Sequence, residues 1–284
     1  METGGKSYIY YPSRTNVIEI WNLSDLHLMS KSCAEEEIRE DVEEIRANPY
    51  AFWFGGGDYA DFISVTDKRF DPDAVSPKVS VADLGNLGNK GMELARDIFK
   101  PIKHKCLGLL FGNHEAVYMI SKEQTHLHAW LCTELGVPNL GYCALFDVGF
   151  SRVPGCKPHL SRSGKGNINV WAVRMFAHHG AGFSTTPAGK LNRLLQFMDS
   201  FRADVYWCGH VHDQKGQRIS SLGANAECTT VKAFTRLGVI SGGYLKTYQQ
   251  GVTSYGEMKG YRPTVLGAAK VEFYPDKQTF KGEI

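Results

Sequence analysis

No run in this chain reaches the roughly 18 apolar residues that a membrane-spanning helix needs. The opening stretch, METGGKSYIYYPSRTN, has no apolar core of the kind a secretory signal carries. Neither sign of charge dominates: 32 Lys and Arg stand against 30 Asp and Glu, which excludes a uniformly basic nucleic-acid coat and leaves only local patches. Paired-cysteine motifs are missing as well. The seven cysteines are odd in number and contain no CxxC, a pattern of scattered thiols that suits a reducing cytoplasm. Gly55-Gly56-Gly57 does not match the GxGxxG of dinucleotide sites, and Tyr118 stands where HExxH would need its second histidine after His114-Glu115. What remains is ordinary globular usage, 43% hydrophobic and 22% charged, enough to bury a sizeable core.

Short apolar runs alternate with helical patterns, which predicts an α/β fold. Val17 to Leu23 reads as a buried strand, and Cys33 to Ala47 as a helix with Ile38, Val42 and Ile45 on one face. Tyr50 to Phe54 and Cys106 to Phe111 are further strands, each stopped by glycine. Met92 to Ile102 and roughly Glu115 to Leu135 read as helical, Leu140 to Phe150 and Ile168 to Ala177 as strands. Thr186-Pro187 is a helix start ahead of Leu191, Leu194, Leu195 and Met198. Val205 to Cys208 is another strand. No linker divides the chain, so a single domain is expected over 1–284, its motifs within about 16–213 and a basic, strand-rich portion 214–284 completing the sheet.

Candidate ligands recur at the ends of these strands: Asp25-x-His27, Asp58 after three glycines, Asn113-His114-Glu115, His178-His179 and His210-x-His212. In extended backbone, residues i and i+2 share a face, so each x-spaced pair is expected to point one way. Any one segment alone is more simply structural; Asp25 could cap a helix, and the glycines could form only a turn. Together they offer oxygen and imidazole donors without thiolate, a set suited to manganese, iron(II) or zinc. Seven candidate ligands exceed what one ion needs, and a bridging Asp58 would account for two. A pair of ions about 3.5–4 Å apart clamps a phosphate for in-line attack by a bridging hydroxide.

The five blocks, in this order, resemble the calcineurin-like metallophosphoesterase superfamily over about 190 residues, from Asp25 to His212. The resemblance implies a four-layer α/β/β/α β-sandwich flanked by helices, with two divalent ions, manganese first among the choices, at its strand ends. It implies one ion on Asp25, His27, Asp58 and His212, and a second on Asp58, Asn113, His178 and His210. His178 rather than His179 is the expected ligand, with His179 behind it. His114 would act on the phosphoryl group or leaving alkoxide, oriented by Glu115, and Asp61 would support the site.

The implied activity is a cytoplasmic phosphoesterase leaning to phosphodiester or nucleic-acid substrates. A phosphomonoesterase or protein phosphatase is the alternative, and a non-catalytic scaffold of the same fold the remoter one. The lean rests on Ser151 to Gly166, which holds Arg152, Lys157, Arg162 and Lys165 with no acid, and on ten basic residues against five acidic from 214 onward. His126 and His128, two apart in a helical stretch, point to different faces and are expected to be solvated or packed. No membrane partner is expected.

Overall fold

The computed structural model describes residues 1–164, 170–182, 184, 186–225, 227–251 and 253–283. Twelve strands occur among them: β1 (Glu2–Tyr11), β2 (Ile18–Ser24), β3 (Ala51–Gly57), β4 (Cys106–Leu109), β5 (Cys143–Arg152), β6 (His159–Ser161), β7 (Val170–His178), β8 (Val205–Cys208), β9 (Gln214–Ala224), β10 (Val231–Gly243), β11 (Gly267–Tyr274) and β12 (Thr279–Glu283). The main helices are α1 (Glu35–Ala47), α2 (Leu87–Phe99), α3 (Asn113–Ser121), α4 (Leu127–Leu135) and α5 (Pro187–Ser200).

Hydrogen bonding runs in one path, β4-β3-β2-β11-β10-β8-β7-β5-β1-β6, with β12 on β11 and β9 on β10. The β10–β11 link is only two residue pairs long, Gly242 with Ala268 and Gly243 with Gly267. There the path folds over, so that two leaves face each other. Phe54 of β3 meets Trp207 of β8 at 5.3 Å and Phe146 of β5 at 6.0 Å, and Phe150 stacks on Phe273 at 5.2 Å, contacts that only opposed leaves can make.

Strand alternation sorts the side chains into three apolar layers. Ile20, Phe52 and Phe54 fill the space between the leaves, opposite Val173, Met175 and Trp207. Trp21, Leu23 and Trp53 point outward to α1, α2 and α4. Phe176, Tyr206 and Cys208 point outward to Leu194 and Met198 of α5. The architecture is therefore α/β/β/α, as the motif resemblance implied. Burial on both faces is why β3 and β8 read as apolar runs without polar alternation.

Two elements differ from expectation. The helical stretch 115–135 is two helices, parted at 122–126, where Glu123 takes a left-handed φ of 56°. The N-terminal residues form β1, parallel to β5, with Ile9 and Tyr11 in the central layer. Among the described residues, no helix is long and apolar enough to cross a membrane.

Candidate metal centre

The expected same-face geometry of extended backbone does not hold here. β2 ends at Ser24 and β8 at Cys208, and the residues beyond them turn left-handed: Asp25 (φ 55°), His27 (48°), His210 (69°) and His212 (45°). Asp58, just after β3, does the same at 52°. These five are half of the ten non-glycine residues with positive φ among those described, in a conformation that costs about 1–2 kcal/mol each for an L-residue. Strain held at one place by surrounding structure marks a working site. The turns are pinned by hydrogen bonds from Asp25 N to Gly57 O (2.9 Å), His27 N to Asp58 O (3.1 Å) and Tyr244 N to Asp25 O (2.9 Å). Gly57 itself must be glycine. Its φ is +95°, and a Cβ there would lie 2.5 Å from the Gly112 nitrogen.

The turns bring side chains from both leaves together. Asp25, His27 and His212 form one group of convergent donors, Asp58, His179 and His210 a second, and His27, Asp58 and His114 a third, each with its atoms within 4.8 Å of one another. Asp58 belongs to two of the three. Asp25, His27, Asp58 and His179 are buried.

Hydrogen bonds to the ring nitrogens orient these donors. His179 Nδ1 lies 2.8 Å from Gly56 O, a carbonyl that can only accept, so the ring proton sits on that side. Nε2 faces Asp58 Oδ2 at 3.2 Å and Asn113 Oδ1 at 3.1 Å. A ring nitrogen and two oxygens thus converge on one point, where a proton on Nε2, or a cation in its place, joins them. In the other group, His27 Nδ1 serves the Asp61 carboxylate at 2.8 Å, which leaves its Nε2 as an acceptor 3.1 Å from His212 Nε2. His212 Nε2 is in turn 3.2 Å from Asp25 Oδ1. Mixed imidazole and carboxyl donors aimed at one another in this way fit divalent cations of the first transition row.

The electrostatics point the same way. Burial disfavours a charged His179, yet the Asp58 and Asp25 carboxylates outweigh it and push its pKa up to about 10. Burial also opposes ionisation of Asp25, but the hydrogen bond and charge of His212 hold it down to about 2. Asp58 is held well below the carboxylate range against its burial, chiefly by the charge of His179 and then of His114. The pocket is built for anionic carboxylates beside positive charge.

The structure places His179, and not the expected His178, in the cluster. His178 ends β7 on the same face as Phe176, towards α5, where its ring stacks on Phe197 at 4.5 Å and its Nδ1 accepts from Gly180 N at 2.8 Å. His179, one residue on, turns to the inner side. His179→Ala should therefore lower the metal bound per chain, while His178→Ala leaves it unchanged, a difference that mass spectrometry of the native protein would read.

The role expected of Glu115 also changes. Its buried carboxylate does not orient His114; it accepts from Gly112 N (2.8 Å), Asp58 N (3.0 Å) and Tyr59 N (2.6 Å), clamping the Asp58 turn to the start of α3. Burial and then the neighbouring Asp58 charge push its pKa up to about 7. His114 is held instead by Asp61, whose carbonyl lies 2.7 Å from Nδ1, while the Asp61 side chain serves His27. His128 is buried in α4, stacked beside Tyr59, away from the cluster.

The basic segment after β5 does not overhang the cluster. Cys143 pairs with His178 at the cluster end of β5, and Ser151 with Val170 at the other. Eight residues at about 3.4 Å each put the segment roughly 27 Å away. There Arg152 pairs with Asp276 at 3.2 Å and Arg162 donates to Cys106 O at 3.2 Å. Lys165 and Gly166 lie outside the described residues.

A sandwich of two leaves with a histidine–carboxylate cluster at its strand ends thus defines the class of protein, a metal-site α/β/β/α fold. No family model matches the chain, and no curated protein matches it either. Among solved structures it is similar to a metallophosphoesterase from Sphaerobacter thermophilus, 13% identical, covering 94% of this chain and 88% of that one at a TM-score of 0.37. It is also similar to a conserved uncharacterised protein from Streptococcus pneumoniae described as a predicted phosphoesterase, 14% identical, covering 91% and 84% at a TM-score of 0.32. At such identities, what the cluster can do is decided by its own side chains.

Proposed function

We propose that the chain is a metal-dependent phosphoesterase. The observation that carries this reading is the convergence of imidazole and carboxylate donors around Asp58 with His114 beside them. One cation would be held by Asp25, His27, Asp58 and His212, the other by Asp58, Asn113, His179 and His210, with manganese suited to the mixed donors. When bound, such a pair supplies an activated water nucleophile and neutralises charge on the phosphoryl oxygens.

The chain's own contribution beyond holding ions centres on His114. Burial works against its charged form, but Asp58 and Asp61 raise its pKa above the ordinary imidazole value. With Nδ1 committed to the Asp61 carbonyl, the proton on Nε2 is the one free to go to the departing alkoxide. Asp61 fixes both the His27 and His114 rings and so sets the angle between a metal ligand and the acid. Phosphodiesters are the substrates we favour. The segments bordering the site, Tyr59-Ala60-Asp61-Phe62 and Glu115-Ala116-Val117, hold no arginine to match the dianion of a monoester. A strand of nucleic acid falls within that class.

The test is turnover of a bis-aryl and a mono-aryl phosphate by protein stripped with chelator and reloaded with manganese. Activity should return with two ions per chain and be greater on the diester. Full activity in the presence of chelator would overturn the reading.

A further inference from the structure

A cleft of about 100 Å³ opens beside the cluster, between Gly182 and Ser184, the residue between the two ligand histidines, and the first turns of α5. Its walls include Gly182, Ser184, Lys190, Asn192, Arg193 and Val211. Val211 lies between His210 and His212, so one wall of the cleft is the backbone that presents two of the proposed ligands.

The charge here is unbalanced. Lys190 and Lys215 share a single carboxylate, Asp213, at 3.3 and 3.1 Å. Arg193 is exposed and has neither an ion pair nor a hydrogen bond among the described residues. Its guanidinium lies across Gly182, with Nη2 3.4 Å from where a Cβ would stand. Three cations against one carboxylate leave a surplus of two positive charges beside the cluster proposed to take a phosphate ester. A planar guanidinium without a partner, next to a half-buried ammonium, matches the geometry of a phosphate group.

We infer that this cleft is a subsite for a second phosphate of the substrate, carried next to the one that the metal-loaded cluster hydrolyses. The inference rests on the phosphoesterase reading and narrows it to esters bearing more than one phosphate. That phosphate could be the terminal group of a nucleotide or the neighbouring diester of a strand.

Three substrates separate these: a thymidine dinucleotide with one diester, the same dinucleotide with a 5′-phosphate, and the trinucleotide. For the wild type, each added phosphate should lower KM. In Arg193→Gln, the advantage of the phosphorylated substrates over the plain dinucleotide should fall about tenfold, the scale of a hydrogen-bonded charge pair. Loss of the advantage only with the 5′-phosphate points to a terminal group, and only with the trinucleotide to a strand. An equal loss on all three substrates, or no change in the ratio, would overturn the subsite. If neither these substrates nor the aryl phosphates are turned over, the phosphoesterase reading fails instead. Calorimetric binding of the two dinucleotides to the manganese-loaded protein then still decides the subsite, since a 5′-phosphate that adds nothing to wild-type affinity overturns it.

Discussion

Replacing Asp58 with asparagine should strip metal from the protein and lower turnover by about a thousandfold or more, the several kcal/mol that a bound cation supplies to charge development at phosphorus. Among the proposed ligands, Asp58 alone belongs to both cation sites. Its Oδ2 faces His179 at 3.2 Å, and its Oδ1 accepts from His114 N at 2.8 Å. Asparagine keeps the shape and the second hydrogen bond but removes the charge that would draw two cations to one point. The loss should therefore appear as metal content, not as misfolding. Plasma mass spectrometry beside a kinetic assay would read it. A D58N protein that keeps two ions per chain would show that the carboxylate does not bridge.

Replacing His114 should separate the two properties. His114→Ala leaves every proposed ligand in place, and its backbone N–H, which holds Asp58, is untouched. Metal should stay at wild-type levels while turnover falls about 10²–10⁴-fold, the range for removal of a positioned acid. The deficit should shrink as the leaving alcohol becomes more acidic, since a good leaving group needs less protonation. Measuring the rate against a series of aryl leaving groups checks this. A constant deficit across the series would move His114 from proton donor to binding the phosphoryl oxygens.

How much of this was legible in the sequence follows from the physics of each feature. Strands β3 and β8 announced themselves because burial on both faces leaves apolar letters, and the glycines at their ends marked where ligands gather. Strand β1 did not, because its glycines and exposed polar residues near the N-terminus hide Ile9 and Tyr11. The choice between His178 and His179 was readable in principle: Val173, Met175 and Ala177 share one face of β7, and continuing that parity reaches 179. The left-handed turns were not readable. Aspartate and histidine in that conformation are imposed by contacts from other segments, such as Gly57 and Tyr244. The work of Glu115 was equally hidden, since its partners are backbone N–H groups, two of them nearly sixty residues away. The basic segment misled because sequence shows charge but not at which end of a strand it falls.

The proposed ligands divide between the two leaves: Asp25, His27, Asp58 and Asn113 stand on one, His179, His210 and His212 on the other. Among the described residues, the strand ladder between the leaves is only two residue pairs long, and in the interior the leaves meet across the aromatic layer of Phe54, Phe146 and Trp207. That layer consequently works like the screw of a caliper. Any sliding of one half over the other changes the bite between the two sets of donors, so ring volume deep in the interior sets the spacing available to a pair of cations at the surface.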